Sequence, residues 1–300
     1  MNREEEFYNF LYQTPNINLG AFENNWPYII QSTRNNIYTK QGFSSIVYYT
    51  YRKKDIVIVN SLGLNRKKLI VDFCKKLNKN HNIRNIILKN VDVNELKWWI
   101  KNGFELKTTP WSKYSKMDDN SFPQYNVSTE TVEKMDFKND IQRQIKSFIK
   151  KRKIFTEEYK NKYDFDSKNI LLNFSKYCEN KGTDYAHEVY NAHTFFFDKS
   201  IKNKIRLQHI ENNKLIGISF LTPVSDICFY NMVICKYERN LMKYLVYQSM
   251  NFVIKEYPNI KLFGMQGSEN EGQDYLKRRL RPSEKIKKIH LIYKKNKNFK

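Results

Sequence analysis

The sequence is poor in the residues that mark disulfide-rich, zinc-binding or collagen-like chains. Its 300 residues include only 4 Cys, 5 His, 9 Gly and 7 Pro. The cysteines are Cys74, Cys178, Cys228 and Cys235. They form no Cys-x-x-Cys pair, so we expect reduced thiols packed in the core. His187 and His193 flank Glu188, but their spacing fits no helical ligand face, and we predict no metal site.

Long apolar runs are also missing, and this shapes the expected location. A membrane-spanning helix needs about 20 consecutive apolar residues. The longest runs here, such as Ile56–Val59 and Ile216–Val224, have the length of buried strands. The first ten residues, MNREEEFYNF, are acidic and polar where a signal peptide is basic and then apolar. We therefore predict a cytoplasmic protein without a transmembrane segment.

Apolar and basic residues, by contrast, are plentiful. The chain is 40% hydrophobic and 15% aromatic, enough for a real core, and its length suits two domains. Its net charge is +22. Residues 1–130 hold 19 Lys and Arg against 12 Asp and Glu, whereas residues 131–300 hold 34 against 19. This excess predicts a polyanionic partner or a phosphate-bearing substrate for the second half. Nucleic acid, a CoA tail and anionic lipid headgroups all qualify.

The first half alternates strand and helix patterns. Strands are predicted at Ser44–Tyr51, Asp55–Asn60, Arg84–Lys89 and Phe104–Thr108, and helices at Arg66–Lys79 and Val93–Lys101. Residues 109–128 lose this periodicity and carry two prolines. We interpret them as the connection between an N-terminal domain, 1–128, and a C-terminal domain, 129–300.

The second half opens with helices and ends in a sheet. Helices are predicted at Met135–Arg152, Ser167–Asn180, His187–Phe197, Arg239–Tyr257 and Glu271–Leu280. Strands are predicted at Lys204–Glu211, Leu215–Thr222, Asp226–Ile234, Ile260–Met265 and Lys285–Tyr293. Antiparallel strands followed by a strand–helix–strand crossover indicate a mixed α/β (α+β) sheet with flanking helices.

Several segments carry a resemblance to a known superfamily. The hairpin IENNKLIGISF, Ile210–Phe220, and the helix that starts at Arg239 resemble those of GNAT acyltransferases. The segment Phe263–Pro282 is most similar to the phosphatidylglycerol lysyltransferase C-terminal domain family. In the first half, Trp98–Lys107 resembles the helix–Gly-Phe–strand ending of GNAT units. The resemblance implies two tandem GNAT-like domains, the first degenerate, and an acyltransferase activity.

One departure bears on the acyl donor. GNAT proteins that use acetyl-CoA carry a glycine-rich loop before the long helix, and its N–H groups bind the pyrophosphate. The matching stretch here, Cys235–Lys243, has no glycine, which leaves Arg239 and Lys243 as side-chain phosphate ligands. The resemblance then favours aminoacyl transfer from aminoacyl-tRNA to a small-molecule, peptide or lipid-headgroup acceptor. The alternatives are a CoA-dependent N-acyltransferase and a non-catalytic nucleic-acid-binding protein on a degenerate GNAT scaffold. No bound cofactor is expected, since either donor is a substrate.

The resemblance places the reaction where the two central strands splay, at the ends of Asp226–Ile234 and Ile260–Met265. The candidate catalytic residues there are Tyr230, Asn231 and Gln266. The candidate donor- or substrate-binding residues are Arg239, Lys243, Gly267, Lys277, Arg279 and Arg281. Each has a structural alternative: strand packing for Tyr230, a bulge for Asn231, a turn for Gly267 and a solvated face for the cations. The basic helix segment Lys146–Lys153, near Phe148 and Phe155, is a second candidate RNA contact.

Overall fold

The structure is a computed structural model that describes residues 3–34, 36–42, 44–79, 82–109, 120–180, 197, 201–236, 238, 240–268 and 271–293. The chain forms two compact units. Unit 1 comprises residues 1–124, 267–274 and 285–300, and unit 2 comprises residues 125–266 and 275–284. The first crossing between units lies close to the predicted boundary at 128/129. The chain also returns to unit 1 twice near its end, a feature that two consecutive domains do not describe.

Helices and strands alternate through both units. The helices are α1 (Arg3–Gln13), α2 (Trp26–Thr33), α3 (Arg66–Asn78), α4 (Leu96–Lys101), α5 (Thr129–Glu133), α6 (Asn139–Lys151), α7 (Asp164–Asn180), α8 (Leu241–Glu256) and α9 (Glu271–Arg279). The strands are β1 (Tyr38–Gly42), β2 (Ser45–Arg52), β3 (Asp55–Gly63), β4 (Asn85–Asp92), β5 (Phe104–Lys107), β6 (Phe122–Ser128), β7 (Ile154–Glu158), β8 (Ile205–Glu211), β9 (Lys214–Val224), β10 (Ile227–Cys235), β11 (Leu262–Met265) and β12 (Glu284–Tyr293). None of the described helices has both the length and the apolar character that crossing a bilayer requires.

Unit 1 is built on a mixed sheet in the order β1-β2-β3-β4-β12, with β5 also paired to β12. The pair β3/β4 is parallel and the other pairs are antiparallel. Helix α3 buries Ile70, Phe73 and Cys74 against this sheet. These residues lie at i, i+3 and i+4, the spacing of one helical face, so the periodicity that predicted the helix also fixes which side it packs.

Unit 2 is built on the order β6-β11-β10-β9-β8-β7, with β10/β11 as its parallel pair. Helix α8 buries Leu245, Met250 and Val253 in a core shared with Leu207 of β8 and Phe263 of β11. Helix α6 contributes buried isoleucines to the same core. Apolar burial of this extent is the main stabilising contribution to a domain of this size.

One order of elements occurs twice in the protein. Along the chain, three antiparallel strands twice lead into a helix, a parallel strand, a second helix and a further strand: β1-β2-β3-α3-β4-α4-β5 and β8-β9-β10-α8-β11-α9-β12, although β12 itself pairs within the sheet of unit 1. The parallel pairing covers Asp55–Ile58 with Asn85–Leu88 in unit 1, and Ile227–Tyr230 with Leu262–Met265 in unit 2. A β-bulge follows directly, at Val59 and at Asn231 respectively. The predicted tandem arrangement of mixed sheets with flanking helices is thus confirmed.

Most predicted elements are present with ends shifted by a few residues, and six were missed. Strand β6 lies inside the stretch interpreted as a connection, because its short polar–apolar alternation at Gln124–Ser128 follows Pro123 and a run of turn residues. Helices α1, α2 and α5 and strands β1 and β7 were not predicted. The predicted helix His187–Phe197 and the His187/His193 pair lie, except for Phe197, outside the described residues.

Candidate functional site

In unit 2 the parallel strands β10 and β11 stop pairing partway along β10. Their parallel pairing ends at Tyr230 and Met265, while β10 continues to Cys235. Asn231, the next residue, is the extra residue of the β10/β9 bulge. A bulge leaves one residue outside the ladder and bends its strand, and bulges are frequent next to active sites. This gap between two central strands is the candidate site.

Asn231 presents one end of its amide at this gap. Its side chain is partly exposed, and Nδ2 donates to Thr222 Oγ1 at 2.7 Å and to its own strand at Phe229 O at 3.4 Å. Its Oδ1 accepts no hydrogen bond from the part of the chain that the structure describes. Asn231 therefore forms the bulge, as its structural alternative predicted, and its Oδ1 can still accept a hydrogen bond from a ligand.

Tyr230, the second predicted catalytic residue, points into a buried polar network instead. Its hydroxyl lies 3.3 Å from both Ser219 Oγ and Ser249 Oγ. His209 Nε2 lies 2.8 Å from Ser219 Oγ, and its Nδ1 lies 2.9 Å from Thr156 Oγ1. Burial raises the pKa of Tyr230 and lowers the pKa of His209 to about 3, so the network is uncharged at neutral pH. This placement agrees with the packing alternative for Tyr230.

Gln266 and Lys277 meet at the end of β11. Lys277, which is buried, donates from Nζ to the carbonyl of Gln266 at 2.7 Å. A charged donor on a backbone carbonyl fixes the turn that follows the strand. Gly267 comes next, and a Cβ there would lie 3.2 Å from the ring of Phe122. Both contacts give these residues a structural role in shaping the strand end.

Three further predicted cations are bound by residues of α6 or by Asp136, three residues before it. Arg279 pairs with Asp140 at 2.6 Å, and Arg281 pairs with Asp136. Lys243, in the first turn of α8, donates to Gln144 Oε1 at 2.8 Å and to Asn240 Oδ1 at 3.1 Å. Arg239 lies outside the described residues.

Asp140 accepts hydrogen bonds from two side chains, the first of which is Arg279. It also accepts from the Tyr275 hydroxyl at 2.9 Å. Partial burial tends to raise the pKa of Asp140, but the bonds from Tyr275 and Arg279 outweigh it and hold that pKa below its ordinary value. The carboxylate is therefore ionised at neutral pH, and Arg279 is committed to a protein partner.

Four exposed lysines lie on α6 and directly after it. We call Lys146, Lys150, Lys151 and Lys153 the lysine face; all four side chains are exposed. None forms an ion pair with a described residue. Phe155, 67% exposed, follows on β7. Exposed lysines bind the phosphates of an RNA backbone, and an exposed aromatic ring beside them can stack on a base.

A cavity of about 590 Å³ opens at the far end of β10. Its walls come from α7, the β8–β9 turn and the β10–α8 connection; Phe174, Leu215 and Met242 supply apolar surface and Lys236 a charge. Cys235 also lines it, but burial raises the pKa of that thiol to about 12, so it is not a thiolate nucleophile at neutral pH. The sequence predicted the helix α7 but not this cavity, at which the structure places Ile170 and Phe174 of that helix.

The fold of this chain is similar to those of several solved structures. No family model matches the chain, and no curated protein matches it. A conserved protein of unknown function from Bacteroides thetaiotaomicron is similar with a TM-score of 0.75 at 11% identity, covering 97% of this chain and 96% of that one. The C-terminal domain of a putative lysylphosphatidylglycerol synthetase from Agrobacterium fabrum is similar with a TM-score of 0.62 at 9% identity, covering 98% and 91%.

A third similarity concerns the repeat. A tandem GNAT protein from the clavulanic acid biosynthesis pathway is similar with a TM-score of 0.51 at 9% identity, covering 89% of this chain and 86% of that one. At such identities the likeness establishes the fold. Together with the repeated order of elements and the β-bulge beside each parallel strand pair, it shows that the chain has the fold of tandem GNAT proteins.

Proposed function

We propose that this protein is an acyltransferase that moves an aminoacyl group from aminoacyl-tRNA to an amine or hydroxyl of a small-molecule, peptide or lipid-headgroup acceptor. The observation that carries the proposal is the open Oδ1 of Asn231 on the bulge where β10 and β11 part. A hydrogen-bond acceptor at that point orients the attacking amine or hydroxyl toward a carbonyl held in the gap.

Transfer from an aminoacyl ester does not require a strong general acid or base. The acceptor nitrogen or oxygen attacks the aminoacyl ester carbon, the ester C–O bond to the ribose breaks, and the proton of the acceptor ends on the released ribose hydroxyl. Asn231 Oδ1 accepts a hydrogen bond from the attacking group. Backbone N–H groups left unpaired by the bulge supply donors for the tetrahedral oxyanion. An activated ester makes a strong general base unnecessary.

The choice of donor rests on charge. Three of the four residues of the lysine face lie on α6, whose Gln144 contacts Lys243 in the first turn of α8, the helix that follows β10. The connection Lys236–Asn240 contains no glycine for a backbone phosphate cradle. A long polyanion that spreads over exposed lysines fits this surface better than a compact pyrophosphate. The similarity to a putative lysylphosphatidylglycerol synthetase domain supports the same class of reaction.

Thermal unfolding with defined ligands tests the proposal. The purified chain is heated with aminoacyl-tRNA, deacylated tRNA or acetyl-CoA, at low and moderate salt. A ligand present at 100-fold its Kd stabilises by about 2.7 kcal/mol. We expect the largest shift with aminoacyl-tRNA, and we expect an amine acceptor to release tRNA from it faster with the protein than without it.

Acetyl-CoA is the informative competitor. The apolar cavity beside Met242 and Lys236 is the feature that favours a CoA-dependent N-acyltransferase. Stabilisation by acetyl-CoA without any response to tRNA contradicts the proposal and supports this second candidate. Salt-dependent tRNA binding with no transfer to any amine contradicts it in favour of a binding protein.

A further inference from the structure

Unit 1 has its own splayed strand pair, and a polar cavity lies in it. The pairing of β3 with β4 ends at Ile58 and Leu88, although both strands continue. A cavity of about 280 Å³ is lined by Asn60 and Ser61 of β3 and by the end of β4. It therefore occupies the place in unit 1 that corresponds to the Asn231 gap in unit 2.

Two opposite charges are buried in its wall. Lys288 Nζ lies 2.8 Å from Glu23 Oε1, with side-chain exposures of only 6% and 8%. The other carboxylate oxygen of Glu23 accepts from Gln124 Nε2 at 2.9 Å. Asp92 lies 4.0 Å from Lys288. Desolvating an ion pair is costly and contributes little net stability, so its position against an open cavity indicates a binding role.

The charges around the cavity are balanced. Glu23, Asp92 and Glu95 face Arg66, Lys89 and Lys288. Burial tends to raise the pKa of Glu95, but Arg66 and Lys67 hold that pKa below its ordinary value, so its carboxylate is ionised at neutral pH. A polyanion would meet three carboxylates here, in contrast to the strongly positive chain as a whole.

The remaining polar groups of the wall are mainly amides, held in place by hydrogen bonds. Asn60 Nδ2 donates to Glu23 O at 2.8 Å and to Asn24 Oδ1 at 3.2 Å. Asn24 Nδ2 in turn donates to Asn18 O at 2.8 Å. A rigid wall with donors, acceptors and both charges suits a ligand that carries an ammonium and a carboxylate group.

We propose that this cavity in unit 1 binds a small zwitterion of amino-acid size, with its ammonium toward Glu23 and Asp92 and its carboxylate toward Lys288 and Arg66. The volume agrees with that size. A water molecule occupies about 30 Å³ in the liquid, so the cavity has room for roughly nine waters or one organic molecule of a similar number of heavy atoms.

Titration of the full chain with free amino acids tests this site. Each common L-α-amino acid is added in a thermal-shift screen, and those that stabilise are titrated by calorimetry. For each, the amine that lacks the carboxylate and the acid that lacks the ammonium serve as matched analogues. We expect at least one amino acid to bind, and both analogues to bind about tenfold more weakly or worse, since each loses one charged hydrogen bond. No stabilisation by any amino acid, or equal binding of the analogues, overturns the proposal.

Two variants connect binding to the cavity. In Glu23→Gln/Lys288→Met, both buried charges are removed together, so no unpaired charge remains. Asp92→Asn keeps the bond that Asp92 accepts from Asn94 N at 2.9 Å and serves if the double variant does not fold. We expect each folded variant to weaken binding about tenfold or more. Glu130→Gln, an exposed carboxylate of unit 2, is the matched control and is expected to bind normally. Unchanged binding in Asp92→Asn overturns the assignment to this cavity.

This site does not depend on the proposed aminoacyl transfer. If a free amino acid binds and no transfer occurs, the site in unit 1 is supported and the proposed transferase activity is refuted. If transfer occurs and no free amino acid binds, the transferase activity is supported and the site in unit 1 is refuted.

Discussion

At the scale of single residues, position in the strand ladder decides what a polar side chain can do. Tyr230 and Asn231 are neighbours in an apolar strand, and the sequence offers both as catalytic candidates. Because side chains alternate across a strand, the hydroxyl of Tyr230 lies in the buried network with Ser219 and Ser249. The bulge instead leaves Asn231 partly exposed with an open acceptor.

Replacing Asn231 with Ala removes that acceptor. We expect kcat/KM for aminoacyl transfer to fall by about tenfold to a thousandfold, the range seen when one orienting or stabilising hydrogen-bonding group is removed. The free energy of unfolding should change by about 1 kcal/mol, since the hydrogen bond to Thr222 is absent in this variant. Transfer rates and urea unfolding measure the two effects. Asn36→Ala, at an exposed position of unit 1, is the control, and equal activity of both variants contradicts the role of Asn231.

Gly264 on β11 leaves room for a neighbouring ring. A Cβ at this position would lie 2.5 Å from the ring of Phe229, which is fully buried. Gly264→Ala is therefore expected to destabilise the protein by about 1–3 kcal/mol, the usual cost of overpacking a core. At Gly42 the added Cβ would meet only the flexible end of Leu69, at 2.8 Å, so Gly42→Ala should cost less. Urea unfolding of both variants checks this order, and equal costs contradict it.

At the scale of elements, α6 separates two kinds of charge. One side, with Asp140 and Gln144, binds Arg279 and Lys243 and so joins α6 to α8 and α9. Of the lysine face, Lys146 and Lys150 lie on another side of α6, and Lys153 follows the helix. Arg152, just after α6, pairs with Glu211 of β8 at 2.5 Å and with Glu238. The helix is thus fixed by its ion pairs, and its exposed lysines remain available for a partner.

Neutralising part of the lysine face tests its role in binding RNA. The triple variant Lys146→Gln/Lys150→Gln/Lys153→Gln should bind tRNA more weakly, and the slope of log K against log salt should become shallower by up to about three, roughly one for each phosphate that the variant no longer neutralises. Fluorescence anisotropy at several salt concentrations measures the slope. The control is Lys75→Gln/Lys76→Gln/Lys79→Gln, three exposed lysines at the end of α3. An equal effect of both triple variants indicates attraction by net charge alone and contradicts a specific RNA contact.

At the scale of the whole molecule, the sequence predicted the repeated elements well and the polar clusters poorly. Strands and helices such as β10 and α8 follow from the period of their apolar residues, which is local information. The pair of Glu23 with Lys288 joins residues far apart in the chain, and no periodicity connects them. The ion pairs of Arg279 and Arg281 escaped prediction for the same reason, since a basic helix face looks alike whether or not acidic partners pack beside it. Strand β6 was missed because Pro123 and a run of turn residues precede its short polar–apolar alternation, and its polar residues Gln124 and Asn126 are buried all the same.

Among the described residues each unit buries one histidine, and this makes the stability of the molecule dependent on pH. Burial lowers the pKa of His209 in unit 2 to about 3, and burial together with nearby Lys89 lowers the pKa of His290 in unit 1 to about 3. Both rings are therefore uncharged in the folded chain. In the unfolded chain they take up a proton below the ordinary value of 6.5. The unfolded state binds more protons between these limits, so the stability is complete above pH 6.5 and is lost as the pH falls toward 3.

Urea unfolding between about pH 5 and 6.5 tests this linkage, because carboxylates whose pKa is lowered, such as Glu211, titrate below this window. We expect the free energy of unfolding to fall by about 1 kcal/mol per pH unit for each histidine. His209→Gln and His290→Gln keep a hydrogen-bonding side chain without the titration, so each should make the slope shallower by about that amount, and the double variant should make it nearly flat. If either substitution lowers stability but leaves the slope unchanged, that histidine is charged in the folded protein and the buried network around it carries a compensating negative group.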